Sequence, residues 1–240
     1  MFIYPAIDLR GGKAVRLTKG DYNQMNIYNE DPLSQAQSFY NDGAKFLHLV
    51  DLDGAKEGTP VNFETIKNIV SNTDMFVEVG GGIRTLKRVQ EYIDLGVNRV
   101  IIGTAAITDF PFLLEALKIY GDKIAVGVDT KDGKISVNGW LETTDTDGVE
   151  FCRKLRDNGV KTVIYTDISK DGMLSGTNLE IYKKLNEIDG LNIIASGGIS
   201  FEYEIETLNN MGIHGAILGK ALYENKLSLK KAIEIAGQEA

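Results

Sequence analysis

Two aspartates, Asp8 and Asp129, end matching apolar segments 121 positions apart, and each is followed four residues later by Gly-Lys (Gly12-Lys13 and Gly133-Lys134). Two carboxylates facing one another over a pocket can serve as general acid and general base, because different surroundings can separate their pKa values. Either aspartate alone could equally cap a loop at a strand end. The matched pair favours chemistry.

A second set of residues recurs at a spacing of 116: Gly81-Gly82-Ile83 as Gly197-Gly198-Ile199, and Gly103-Thr104-Ala105 as Gly219-Lys220-Ala221. Glycines there let backbone approach a ligand closely, and the N–H groups of a following helical turn suit phosphate. Any one glycine could mark only a turn, but the doubled arrangement predicts two anion sites, with Arg84 and Lys220 as candidate cations. The expected ligand is a small molecule carrying a phosphate at each end.

Further candidates are Thr166 near a strand end, pointing to the barrel centre or to a helix according to register, Asp171 and Gly176 in the polar loop that follows, and Trp140, the one tryptophan, which suits stacking on a flat heterocycle or covering a pocket mouth. Asp51 and Asp167 are equivalent strand-end aspartates that could fix loops or act in catalysis. His48 falls within a strand, where a buried and satisfied role is favoured, and His214 reads as structural. The single cysteine, Cys152, lies in a helical pattern and reads as core. No cluster has metal-ligand spacing and no Gly-x-Gly-x-x-Gly opens a βαβ unit, so neither metal nor dinucleotide cofactor is expected.

The elements that must position these residues alternate strictly. Strands are predicted near residues 2–8, 45–51, 75–80, 98–103, 123–129, 161–167, 191–196 and 214–219. Continuous runs such as Arg99-Val100-Ile101-Ile102 suit parallel strands buried on both faces. Helices are predicted near 31–42, 62–72, 85–95, 109–120, 145–158, 178–188, 201–211 and 228–238, with Asp31, Asn62, Thr85, Asp109, Asn178, Ser200 and Ser228 as N-caps. Eight βα units imply an α/β fold of the closed (β/α)₈ barrel type rather than a flavodoxin-like open sheet. With no linker-like stretch, the chain reads as one domain over 1–240, built of half-barrels at about 1–120 and 121–240. The first half holds five more residues than the second, expected in a long, mobile loop around 18–30.

A net charge of −8 argues against broad nucleic-acid binding. No apolar run approaches a membrane span and no leader pattern opens the chain, so a cytoplasmic enzyme without membrane or obligatory protein partners is expected.

The stretches AIDLRGGKAVRLTKGDY, HLVDLDGAKEG, EVGGGIR, VGVDTKDGKISVNGW, ASGGI and GKALYE resemble the phosphoribosylformimino aminoimidazole carboxamide ribotide isomerase family of histidine biosynthesis, over nearly the whole chain. The resemblance implies a duplicated half-barrel and a cofactor- and metal-free Amadori rearrangement of an aminoaldose carrying two ribose phosphates. By position, Asp8 resembles that family's proton acceptor and Asp129 its proton donor. Trp140 resembles its imidazole-stacking aromatic, and Thr166 and Asp171 match positions around the reacting sugar. Lys131 departs from the usual arginine but keeps the charge. The alternatives are the cyclase subunit of imidazole glycerol phosphate synthase, a dual isomerase that also serves tryptophan biosynthesis, and a non-catalytic barrel that binds a phosphorylated metabolite. The opening AIDLRGGKAVRL and the NGW segment favour the histidine isomerase over the cyclase, Trp140 in the NGW context argues against the dual isomerase, and retention of both aspartates disfavours the third.

Overall fold

The structure, a computed structural model, describes residues 1–18, 21–58 and 60–238. Its strands are β1 (Phe2–Arg10), β2 (Lys13–Thr18), β3 (Asp21–Asn29), β4 (Phe46–Asp51), β5 (Phe76–Gly80), β6 (Arg99–Ile102), β7 (Ile124–Lys131), β8 (Lys134–Val137), β9 (Glu142–Asp147), β10 (Thr162–Asp167), β11 (Asn192–Ser196) and β12 (Gly215–Leu218). The helices are α1 (Pro32–Asn41), α2 (Leu52–Glu57), α3 (Phe63–Ser71), α4 (Leu86–Asp94), α5 (Thr104–Thr108), α6 (Phe110–Tyr120), α7 (Gly148–Asp157), α8 (Leu179–Leu185), α9 (Glu202–Asn210), α10 (Lys220–Tyr223) and α11 (Leu229–Ile235).

Eight strands run parallel in the order β10-β11-β12-β1-β4-β5-β6-β7, and β7 pairs β10 to close the barrel. Their outward side chains and the helices form one apolar shell. Tyr4, Ala6, Ile101, Ala125, Ile164, Ile194 and Ile217 form a separate interior cluster. The helices of seven or more residues bury positions three or four apart, such as Val89 and Tyr92 of α4, or Phe151, Cys152 and Leu155 of α7. Asp31, Thr85, Asp109, Asn178 and Ser228 accept backbone N–H bonds at helix starts, as expected.

The chain path departs from expectation in two places. The segment expected as a loop over 18–30 is instead the outer strand of an antiparallel ribbon, β2–β3, extending from β1; residues 19 and 20 of that segment lie outside those described. The chain leaves β1 for this ribbon through a turn at Gly11-Gly12, both at positive φ, and leaves β7 for the counterpart ribbon β8–β9 through Asp132-Gly133 (φ 52° and 78°). Paired positive φ values favour the type I′ hairpin turn, and Asp-Gly is its usual sequence. The β-branched residues before Asp147 therefore extend β9, and the helix expected from 145 begins at Gly148, capped by Asp147.

Asn62 and Ser200 do not cap helices with their side chains. Asn62 reaches Asp51 instead, donating from Nδ2 to Oδ1 at 2.6 Å. At Ser200 the N–H donates to Glu204, whose Oε2 also receives the Phe201 N–H at 3.0 Å. The Glu204 carboxylate thus satisfies N–H groups that precede α9, while the Ser200 hydroxyl donates to the Gly198 carbonyl.

Candidate active site

Asp8 and Asp129 leave the ends of β1 and β7 and line one cleft at the C-terminal mouth of the barrel. Thr166 pairs in register with Asp129 across β10–β7 and shares its inward face, so the register settles its direction: toward the barrel centre. The cleft reaches deep because the neighbouring inward positions are small: Ala6, Gly80, Gly103 and Gly127.

The two aspartates have different surroundings. Asp8 Oδ2 accepts from Arg16 Nη1 at 2.9 Å, and Arg16 Nη2 donates to the Ala6 carbonyl at 2.7 Å. Asp129 Oδ2 accepts from Trp140 Nε1 at 2.9 Å. Burial pushes the Asp129 pKa up, opposed by hydrogen bonds from Trp140 and Thr166 and by the nearby His48. Asp171 also enters the cleft; burial raises its pKa to about 6, with Arg16 opposing and the Asp8 and Asp129 carboxylates adding to the rise.

Arg16 was not singled out by sequence reasoning. Its guanidinium lies so close to Gly219 that a Cβ there would stand 2.9 Å from Cζ. Its signal was its place in the AVRL alternation of the strand returning from Asp8, which only a hairpin reading would have exposed. Asp8 pairs with Val15, next to Arg16.

Toward one end of the cleft lie Gly81, Gly82, Arg84, Gly103 and Thr104; toward the other lie Gly197, Gly198, Gly219 and Lys220. The glycine pairs have a packing cause as well. A Cβ on Gly81 would stand 2.2 Å from the Asp51 carbonyl oxygen, and one on Gly197 would stand 2.6 Å from that of Asp167. Gly103 and Gly219 open α5 and α10, whose first N–H groups have no intrahelical acceptor. Arg84 donates to the Ala55 carbonyl at 3.1 Å and Lys220 to the Gly172 carbonyl at 3.0 Å. Gly176 is set apart from the cleft lining, its Cα against the Glu204 carboxylate.

Asp51 and Asp167 hold loops. Asp51 accepts from the Gly54 N–H at 2.8 Å and from Asn62. Asp167 accepts from the Ser169 N–H at 3.0 Å and from Asn178 Nδ2 at 2.8 Å. Asn62 and Asn178 are themselves 116 apart, so the repeat preserves this loop anchor. His214 lies away from the cleft, its ring edge-on to Phe2 and its pKa lowered by burial. Among the described residues, no group of His, Cys, Asp and Glu is arranged to hold a metal ion, and no helix is long and apolar enough to cross a membrane.

A family model described as histidine biosynthesis protein matches residues 2–228 of this chain. The chain belongs to that family. It is 52% identical over 238 residues to an isomerase of 1-(5-phosphoribosyl)-5-((5-phosphoribosylamino)methylideneamino)imidazole-4-carboxamide from Brachyspira hyodysenteriae, covering 99% of this chain and 100% of the relative. The enzyme of that name from Clostridium kluyveri is 49% identical over 237 residues, covering 99% and 100%. The one from Listeria monocytogenes is 46% identical over 235 residues, covering 98% of each chain.

Proposed function

We propose that this isomerase of histidine biosynthesis performs the aldose–ketose rearrangement named for its relatives, with Asp8 as proton acceptor and Asp129 as proton donor. The observation that carries the assignment is the placement of the two aspartates at equivalent strand ends, facing one cleft between two glycine-lined grips. A neutral Asp129 gives its proton to the ribose ring oxygen. The ring opens as the exocyclic nitrogen forms a Schiff base. Asp8 removes the proton from C2, leaving an enolamine. Protonation at C1 and loss of the proton on O2 then give the aminoketose, so atoms and charge balance without a redox partner.

The upward push on the Asp129 pKa is in the direction that a proton donor requires. Asp8 is held in the cleft by Arg16, which donates to one of its oxygens. We assign one phosphate to Gly81, Gly82, Arg84, Gly103 and Thr104, and the other to Gly197, Gly198, Gly219 and Lys220. Trp140 would release Asp129 when it stacks on the imidazole. The whole chain is read as one domain of two repeated half-barrels, about 1–120 and 121–240.

A second reading gives the donor role to Asp171. Its pKa near 6 suits an acid at neutral pH, and the Trp140 N–H on Asp129 is a bond that favours the ionised form of that carboxyl. Supplying the bis-phosphorylated aminoaldose to the purified protein, without ammonia or a glutaminase, should yield the ketose. No product would sink the isomerase reading. Comparing Asp129→Asn with Asp171→Asn separates the donors: the one whose loss abolishes the fall of activity at high pH is the acid.

A further inference from the structure

The barrel interior carries a row of charge that its own repeat does without. Ala6, His48, Glu78 and Arg99 occupy one level of β1, β4, β5 and β6, each in register with the next. His48 Nδ1 lies 2.7 Å from Glu78 Oε1, and Arg99 Nη1 lies 3.1 Å from Glu78 Oε2. Arg99 reaches Tyr4 below and stacks over the Phe76 ring, its Cζ 4.9 Å from the centroid. At a spacing of 116, His48, Glu78 and Arg99 correspond to Ile164, Ile194 and Gly215. Ile164 and Ile194 belong to the interior apolar cluster.

A barrel that packs isoleucine at these levels in one half does not need charge there to fold. Burying an ion pair costs desolvation that its attraction barely offsets, and apolar replacements of similar volume are often neutral or stabilising. Glu78 is completely buried, and the Arg99 Nε has no hydrogen-bond partner among the described residues. The row is thus not tuned for stability. Its upper end opens on the reaction centre: His48 lines the cleft one level below Asp8 and Val50, beneath the space left by Gly80 and Gly127. Glu78, already paired with Arg99, accepts, so Nδ1 carries the proton of their bond and Nε2 is the ring's remaining polar atom.

We propose that Glu78, anchored by Arg99, is a positioning residue that orients His48 as the polar floor on which the rearranging sugar sits. This rests on the isomerase reading, and wild-type turnover of the aminoaldose tests that reading separately.

The test replaces the charged pair in the full-length protein by apolar residues, Glu78→Leu with Arg99→Met. Expected are an unchanged or raised Tm, a KM within about threefold, and a kcat lowered by about 10- to 100-fold, the range for supporting residues of a site. In a His48→Ala background the same pair should change kcat by less than about twofold, since it acts through His48. Unchanged kcat, or an equal loss with and without His48, would overturn the proposal. So would a pair variant that fails to fold, because the charges would then serve stability. Independently, the chain has two histidines; in ¹⁵N-histidine spectra of the wild type, saturating ketose product should move the His48 ring signals and leave those of His214 in place. A stationary His48 signal in the presence of bound product would also refute it.

Discussion

Asp8 and Asp129 are the same residue type at equivalent strand ends, and their neighbours separate them. Replacing either by Asn keeps size and removes the proton chemistry. Each variant should lose about a thousandfold in kcat with little change in KM, as expected for an acid or base in the transition state. Steady-state kinetics check this, and near-normal kcat in either variant would refute that residue's role. Asp171 allows a stability test with a definite sign. Its folded pKa, about 6, lies above the ordinary carboxylate value. The folded state therefore holds the proton longer than the unfolded chain: stability is greatest at the acidic end and falls as pH rises toward 6. Above that, ionised Asp171 is a constant penalty, on the order of 1 kcal/mol because the group faces an open cleft. Asp171→Asn should raise Tm at pH 8 and leave it unchanged near pH 4. A variant less stable at both values would contradict this account.

At the level of elements, loops are held by buried polar anchors more than by apolar packing. Glu204 accepts N–H bonds from Thr177 at 2.5 Å, Ser200 at 2.8 Å and Phe201 at 3.0 Å, tying the loop after β10 to the start of α9. Glu204→Ala strands three donors and should cost about 2–4 kcal/mol in urea unfolding, while opening residues 168–177 to proteolysis. Gly82 tests the packing cause of the glycine pairs. It sits at φ 71°, and a Cβ there would stand 2.0 Å from the Gly54 carbonyl oxygen. Gly82→Ala must displace the α2 backbone, and its unfolding free energy should fall by at least about 2 kcal/mol, more than positive φ alone explains. The ribbons are latched in a similar way: Tyr28 donates to Glu224 of the segment after α10, and the Asn138 N–H donates to Thr104 Oγ1 at 3.0 Å.

For the whole molecule, the ligand proposed above carries two phosphates, whereas the chain carries a net charge of −8. Only local cations can reverse the field at the cleft, and Arg16, Arg84 and Lys220 all line it. Binding should therefore weaken as salt screens these pairs: KM for the aminoaldose should rise several-fold between about 0.05 and 0.5 M NaCl with little change in kcat. A KM independent of salt would mean that backbone amides alone hold the phosphates.

The sequence by itself determined the barrel, the repeat and most of the cleft. Apolar runs of strand length alternate with amphipathic helical stretches, and that period survives in one dimension. Strand ends in such a barrel converge on one mouth, so Asp8, Asp129 and the glycine pairs could be placed before any contact was known, whereas the direction of Thr166 waited on the β10–β7 register. What only the tertiary structure decided involves pairing across the chain. Arg16 is a site residue because a ribbon folds it back onto Asp8. Asn62 leaves its expected cap for Asp51. His48 is buried and satisfied in its strand as expected, and its partner Glu78 is known only from the register of the next strand. Local propensity carries no information on such pairings; the register of distant strands does.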